Sequence, residues 1–309
     1  MSHSIYVGID LGGTFIKGGL VKASGEILKE TQIPTEADQG PDHVLGRIAA
    51  LVKELSQGVE IAGVGIGMPG QIDVDKGICH YSPNLPGWEE LEVGPPLEKA
   101  IGCPVILDND ANVAALGEYA FGAGKGAPFM LMVTLGTGVG GGLIMNGEMV
   151  RGAKGLAGEF GHCAIEIGGR KCGCGRRGCI EAYANQNGVI QTLKEKLDAG
   201  QFSVLAAKSD PDTRDVFDAA KAGDCVAIDV FRQTGDYLGV ALADMANLLN
   251  LQRVVVGGGV ANAGDYILEA SRQRVKQDAL GVAAEGFEIV PAQLGNKAGL
   301  VGAAFLAMK

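Results

Sequence analysis

Positive charge, long apolar runs and nucleotide-loop signatures of the commonest kinds are all scarce here, and each scarcity excludes something. Lys and Arg number 26 against 36 Asp and Glu, giving a net charge of −10. That balance argues against nucleic acid or an anionic membrane as the main partner. It leaves room for a phosphate ligand held locally by backbone amides. No run of about 18 apolar residues is free of glycine or charge, so no membrane-spanning helix is expected. The amino terminus has no charged n-region, and its short apolar run is interrupted by Asp10, so no signal peptide is read there. No glycine loop is followed by Gly-Lys-Ser/Thr, which excludes a Walker loop, and no Rossmann fingerprint occurs. Aromatics are few, at 5%, yet a hydrophobic content of 47% fits an ordinary globular core. Cysteine is sparse outside one segment. Cys79, Cys103, Cys163 and Cys225 are scattered and expected to be reduced, which makes the cytoplasm the expected compartment.

What is abundant is glycine, 50 of 309 residues against a usual share of about 7%. The glycines fall in short clusters between apolar runs, as tight turns do where backbone approaches a ligand closely. The length suits two domains with a full core.

The most telling stretch runs from Glu159 to Glu181, read as Glu-x-x-His, then Cys-x-Cys-x4-Cys-x-Glu. His162, Cys172, Cys174 and Cys179 stand at spacings that can close a tetrahedral Zn²⁺ site. Four protein ligands leave no open coordination position, so such an ion would be structural. It would stiffen a glycine-rich loop and hold Glu159 and Glu181 as acceptors for a polyhydroxylated ligand. His162 could bind the ion through one ring nitrogen and touch the ligand through the other.

Periodicity predicts strands at Ile5–Leu11, Ile16–Val21, Ile27–Pro34, Ile61–Met68 (stopped at Pro69-Gly70), Val105–Leu107, Phe129–Leu135, Gly141–Met145, Arg253–Val256 and Phe287–Pro291. Helices are predicted over Pro41–Leu55, Ala111–Phe121, Ile180–Leu197, Val226–Leu249 and an Ala-rich carboxyl-terminal segment, and 122–128 reads as a hinge. Two segments echo each other, Asp10-Leu11-Gly12-Gly13-Thr14 and Leu135-Gly136-Thr137-Gly138-Val139-Gly140. Each opens a half of the chain at a strand end, which suggests duplicated α/β halves on either side of a cleft.

The first echo offers amides, a hydroxyl and a carboxylate at one spot, suited to phosphate oxygens and hydrated Mg²⁺. Lys17 could add charge nearby. With the second echo and the turn Gly257-Gly258-Gly259, three glycine loops at strand ends fit a bound nucleotide. Asp108-Asn109-Asp110 stands where a buried strand becomes a helix. One of the three suits a helix N-cap, and a strand-end carboxylate could equally be a general base for a substrate hydroxyl.

Together these motifs resemble the ROK family of sugar kinases and sugar-sensing repressors, within the actin-like ATPase superfamily. The resemblance rests on DLGGT at Asp10–Thr14, LDNDAN at Leu107–Asn112, LGTGVGGG at Leu135–Gly142, GEFGH at Gly158–His162, CGCGRRGCIEAY at Cys172–Tyr183 and VVGGG at Val255–Gly259. It implies two actin-like (ribonuclease H-like) α/β domains flanking a central cleft. The smaller would span 1–121, completed by a helix at 297–309, and the larger, 122–296, would carry the zinc loop. It implies Asp110 as catalytic base, and Gly70, Asn84, Asn109, Asp110, Glu159, His162 and Glu181 on the sugar. It implies Asp10, Gly12, Gly13, Thr14, Lys17, Gly136, Thr137, Gly138, Gly257 and Gly258 on ATP with its Mg²⁺, and zinc on His162, Cys172, Cys174 and Cys179. A homodimer or homotetramer is expected. Ser82-Pro83-Asn84-Leu85-Pro86-Gly87-Trp88 looks most like the bacterial glucokinases of the family. LDNDAN and GEFGH also occur in N-acetylglucosamine and N-acetylmannosamine kinases, which stay open, as does a fructokinase. A repressor would carry a further amino-terminal helix-turn-helix, whereas the phosphate motif here begins at Asp10. An actin- or chaperone-like ATPase would leave the zinc segment unexplained.

Overall fold

The computed structural model describes residues 4–309. Strands β1 (Ile5–Leu11), β2 (Phe15–Lys22) and β3 (Ile27–Pro34) follow one another through glycine turns and lead into helix α1 (Pro41–Leu55). Strand β4 (Gly63–Met68) is followed by three short strands, β5 (Gln71–Asp73), β6 (Ile78–Tyr81) and β7 (Glu89–Glu92), then α2 (Gly94–Ile101), β8 (Val105–Asn109) and α3 (Asp110–Phe121). After these come β9 (Met130–Leu135), β10 (Val139–Met145), β11 (Glu148–Met149), α4 (Glu181–Ala184), α5 (Gln186–Asp198), α6 (Thr213–Lys221) and α7 (Cys225–Leu249). The chain ends with β12 (Arg253–Gly257), α8 (Asp265–Asp278), α9 (Gly281–Ala284), β13 (Glu288–Pro291) and α10 (Ala298–Leu306). The chain divides into two compact units: 1–127 with 142–158 and 293–309, and 128–141 with 159–292. No helix among the described residues is long and apolar enough to cross a membrane.

In the first unit the main sheet has the order β3-β2-β1-β4-β8. The first three strands are antiparallel, whereas β1, β4 and β8 run parallel, with Asp10 beside Gly67 and Gly67 beside Asp108. The carboxyl ends of these three strands therefore finish level with one another. Alternation along β1 sends Val7, Ile9 and Leu11 to one face, where they join Val44, Ile48, Leu51 and Leu55 of α1 in one buried cluster. Each such side chain contributes about 1.5–3 kcal/mol on burial. On the opposite face α10 lies against β1 and β4 without intervening side chains. A Cβ at Gly65 would stand 1.7 Å from the Ala303 carbonyl oxygen, so this contact demands glycine. The small residues of α10 are the other half of that fit.

In the second unit β9, β12 and β13 run parallel, with Gly257 beside Thr134. Their order is β9-β12-β13. The segment predicted as one helix from Ile180 to Leu197 is two. Asn185 breaks it, and its side chain accepts from the Gly188 amide to cap α5. The small antiparallel sheet β5–β6–β7 and helices α2, α6, α8 and α9 were not anticipated from periodicity.

Candidate active site and metal centre

Ligands of parallel α/β sheets gather at the carboxyl ends of the strands, and in the first unit three candidate groups meet that rule. After β1, the amide of Gly12 donates to the Phe15 carbonyl at 3.0 Å, turning the chain and leaving Gly13 and Thr14 exposed. The turn is braced from beneath by Thr35, fully buried. Its hydroxyl donates to the Gly12 carbonyl at 2.6 Å, and its amide donates to the Thr14 carbonyl at 2.8 Å. Sequence reading missed Thr35, since a single threonine after a strand carries no local signal. Lys17 lies opposite Asp10 on β2 and pairs with it at 3.3 Å. A Cβ at Gly13 would stand 3.0 Å from the Asn84 carbonyl oxygen, so the Ser82–Trp88 turn packs directly on this loop.

Beyond β4, Gly70 adopts a φ of 119°, and its carbonyl accepts from the Asn109 side-chain amide at 3.1 Å. At the end of β8 the three polar residues divide their tasks. Asp108 is buried; one oxygen accepts from the Asn109 amide (2.8 Å) and the Asn112 side chain (2.9 Å), the other from Arg151 Nε (2.9 Å) and Nη2 (2.7 Å). Asn109 is the N-cap of α3, accepting from the amides of Ala111 and Asn112. Asp110 opens the first turn of α3 as the exposed carboxylate of the three and accepts from the Ala111 amide at 2.8 Å. Arg151 was also missed, because it stands 43 residues from Asp108 in the chain.

In the second unit the turns after β9 and β12 lie side by side. Gly258 has a φ of 91°, and a Cβ there would stand 2.3 Å from the Leu135 carbonyl oxygen. Gly136 faces open space, and Thr137 is exposed. Three bonds fasten this loop to the start of α4 and α5. The amide of Val139 donates to Glu181 Oε2 at 3.1 Å, the amide of Gln186 to the Gly136 carbonyl at 2.9 Å, and the Asn185 side chain to the Thr137 carbonyl at 3.0 Å.

His162, Cys172, Cys174 and Cys179 do converge, their donor atoms all lying within 4.8 Å of one another. Tetrahedral zinc at about 2.3 Å from sulfur has sulfur–sulfur edges of about 3.8 Å. Here Cys174 and Cys179 sulfurs are 3.8 Å apart, and Cys172 Sγ is 3.8 Å from His162 Nδ1. The donor set therefore fits a tetrahedral cation. Burial pushes the Cys172 and Cys179 thiols up, while the Arg176 backbone amide draws Cys174 down. A divalent ion is what lets all three ionise together. The other histidine nitrogen, Nε2, lies 3.9 Å from Glu159 Oε2, and Cys172 Sγ lies 3.4 Å from Glu181 Oε1. Both flanking glutamates thus abut the cluster. Cys163, next to His162, is not part of it.

The ROK family model matches residues 6–309. The chain belongs to the ROK family. The glucokinase of Halalkalibacterium halodurans is 42% identical across 99% of this chain and 96% of its own length. The structure of a ROK family glucokinase from Streptomyces griseus, in complex with glucose and AMPPNP, superposes with a TM-score of 0.81 at 36% identity, covering 99% of both chains. A ROK family transcriptional regulator, a homolog of the E. coli MLC protein, has a TM-score of 0.88 at 28% identity, but this chain covers 78% of it. The mixed α/β fold is that of the actin-like ROK kinases.

Proposed function

We propose that this chain is an ATP-dependent hexose kinase with glucose as its preferred acceptor, forming glucose 6-phosphate and ADP. The observation that carries the reading is the division of labour at the end of β8. Asp108 is buried against an arginine and Asn109 caps the helix through Oδ1, whereas Asp110 is the exposed carboxylate. The preference for glucose rests on full-length similarity to named glucokinases.

In this mechanism the primary hydroxyl of the sugar gives its proton to Asp110 as its oxygen bonds to the γ-phosphorus. The bond from that phosphorus to the β,γ-bridging oxygen breaks, and ADP leaves. The exposed amides of Gly13 and Thr14, braced by Thr35, and the turns at Gly136–Gly138 and Gly257–Gly258 hold the phosphates and nucleoside. Asp10 would hold hydrated Mg²⁺, which would supply charge neutralisation on the phosphates. Gly70, Asn84, Asn109, Glu159, His162 and Glu181 contact the sugar hydroxyls. Zinc on His162, Cys172, Cys174 and Cys179 is structural, fixing the orientation of the two glutamates beside it. A cytoplasmic homodimer or homotetramer completes the reading.

The test is ADP release from MgATP against glucose, mannose, fructose, N-acetylglucosamine and N-acetylmannosamine. A clear preference for glucose is expected. Preference for an N-acetylated sugar would keep the mechanism and overturn the acceptor, and turnover indifferent to every sugar would overturn the kinase.

A further inference from the structure

The mechanism above gives Arg151 no task, yet Arg151 holds two parts of the first unit at once. Its guanidinium places Nε and Nη2 on one oxygen of Asp108, 2.9 and 2.7 Å away. Its own carbonyl accepts from the amide of Ala157 at 2.9 Å, closing the segment 151–158 into a loop. Within that loop the Gly155 amide also donates to the Gly152 carbonyl at 3.5 Å. The loop contains Gly152, Gly155 and Gly158, all at positive φ, and Glu159 follows it directly in the chain.

Asp108 is the more revealing partner, since its side chain is only 2% exposed. A buried carboxylate needs a cation or several donors, and the other oxygen is already taken by the Asn109 amide and the Asn112 side chain. Those two bonds fix the backbone and first turn from which Asp110 projects. Without the guanidinium, Asp108 would be a buried charge two residues from Asp110. It would relax by turning toward water, pulling on the Asn109 amide and on Asn112 as it moved.

We propose that Arg151 is a positioning residue for phosphoryl transfer: by holding Asp108 it sets the Asp108–Asn109–Asp110 turn, and so where Asp110 meets the acceptor hydroxyl. The proposal rests on the hexose-kinase reading. Positioning acts in the transition state, and a misplacement of about 1 Å lowers rate by roughly 100-fold. The signature is a fall in kcat with KM for MgATP unchanged, which general damage to the fold would not give.

The experiment compares wild type, Arg151→Met, Arg151→Lys, Asp108→Asn and the double variant Asp108→Asn/Arg151→Met in steady-state assays, each first checked for a cooperative thermal transition. Arg151→Met is expected to lose roughly 100-fold in kcat, and Arg151→Lys, which keeps the charge, to recover part of it. The double variant buries no unpaired charge and should match Asp108→Asn alone, because the arginine then has nothing left to hold. Wild-type kcat in a folded Arg151→Met overturns the proposal. So does a double variant slower than Asp108→Asn, which would show the arginine acting elsewhere. Should Arg151→Met not fold, Arg151→Lys decides: a kcat equal to wild type there overturns the proposal, and a partial loss with KM for MgATP unchanged supports it. A wild-type chain with no sugar-dependent turnover would instead overturn the kinase reading, and this proposal with it, whereas the failures above leave that reading standing.

Discussion

The carboxylate of Glu118, in α3, accepts a hydrogen bond from the backbone amide of Leu294 at 2.7 Å, joining residues 176 apart in the chain. The same buried carboxylate accepts from the amides of Ala123 at 2.8 Å and Gln293 at 3.0 Å. One side chain thus gathers the chain just past α3 and the chain just before α10, near the points where the two units divide at 127 and 293. Glu118→Ala would leave three amides without this acceptor and a hole in their place. At about 1–3 kcal/mol for unsatisfied buried groups, a loss of roughly 3 kcal/mol is expected. The thermal midpoint should fall by about 6–12 °C. Scanning calorimetry decides it, and an unchanged midpoint would show that water serves these amides as well.

How much of this was legible beforehand follows from what is local. The strands at Ile5–Leu11 and Ile27–Pro34 and the helix Pro41–Leu55 appear at the bounds that periodicity gives. Pro41 sits at the first helical turn, and the buried face repeats at helical spacing. Strands β5, β6 and β7 are three to four residues long, too short to display alternation. Helix α6 had a readable start, a capping box between Asp212 and Asp215, but few apolar residues behind it. In the site, the glycine turns and the Cys/His spacing are local and were visible. Arg151 on Asp108 and Thr35 under Gly12 depend on pairings 43 and 23 residues apart. No short-range pattern encodes these.

The metal centre should reveal itself by stoichiometry and by what its removal does. One zinc per chain is expected on elemental analysis of protein purified without chelator. Cys174→Ser should lose most of it, while Cys163→Ser, outside the cluster, should retain it. Because Glu159 and Glu181 abut the ligands, stripping the ion should lower kcat/KM for the sugar by roughly 10–100-fold. Retention of full sugar affinity in the stripped protein would separate the metal from the acceptor site.

Glycine at 138 leaves room for the Glu181 carboxylate. A Cβ there would stand 2.8 Å from Glu181 Oε2, the atom that accepts from the Val139 amide. Gly138→Ala should push the carboxylate off that amide, with the loss of a charge-assisted bond of about 1.5–3 kcal/mol. Apparent affinity for sugar should fall by roughly 10–100-fold, although position 138 belongs to a nucleotide turn in the proposed mechanism. Isothermal titration of glucose without nucleotide checks it. An effect confined to ATP would mean that Glu181 holds the loop and does not touch the sugar.

Asp110 and Asp108 offer the sharpest contrast, because they are the same residue type two positions apart in opposite surroundings. Asp110→Asn removes an exposed carboxylate but can keep its bond from the Ala111 amide, so folding should be unaffected. Turnover should fall by roughly 10²–10⁴-fold, the range for loss of general-base catalysis, with glucose affinity within about tenfold of wild type. Asp108→Asn keeps one acceptor oxygen for the Asn109 amide, yet takes the charge away from Arg151 and leaves that guanidinium unpaired. Its penalty should appear in stability, at about 1.5–3 kcal/mol for the lost charge-assisted bonds, since the remaining guanidinium is a third exposed and can turn to water. Thermal melts and steady-state kinetics on both variants separate the roles. A stable Asp110→Asn that loses the larger part of its turnover, beside a destabilised Asp108→Asn that loses less, is the expected pair of outcomes, and the reverse pair would assign the base to Asp108.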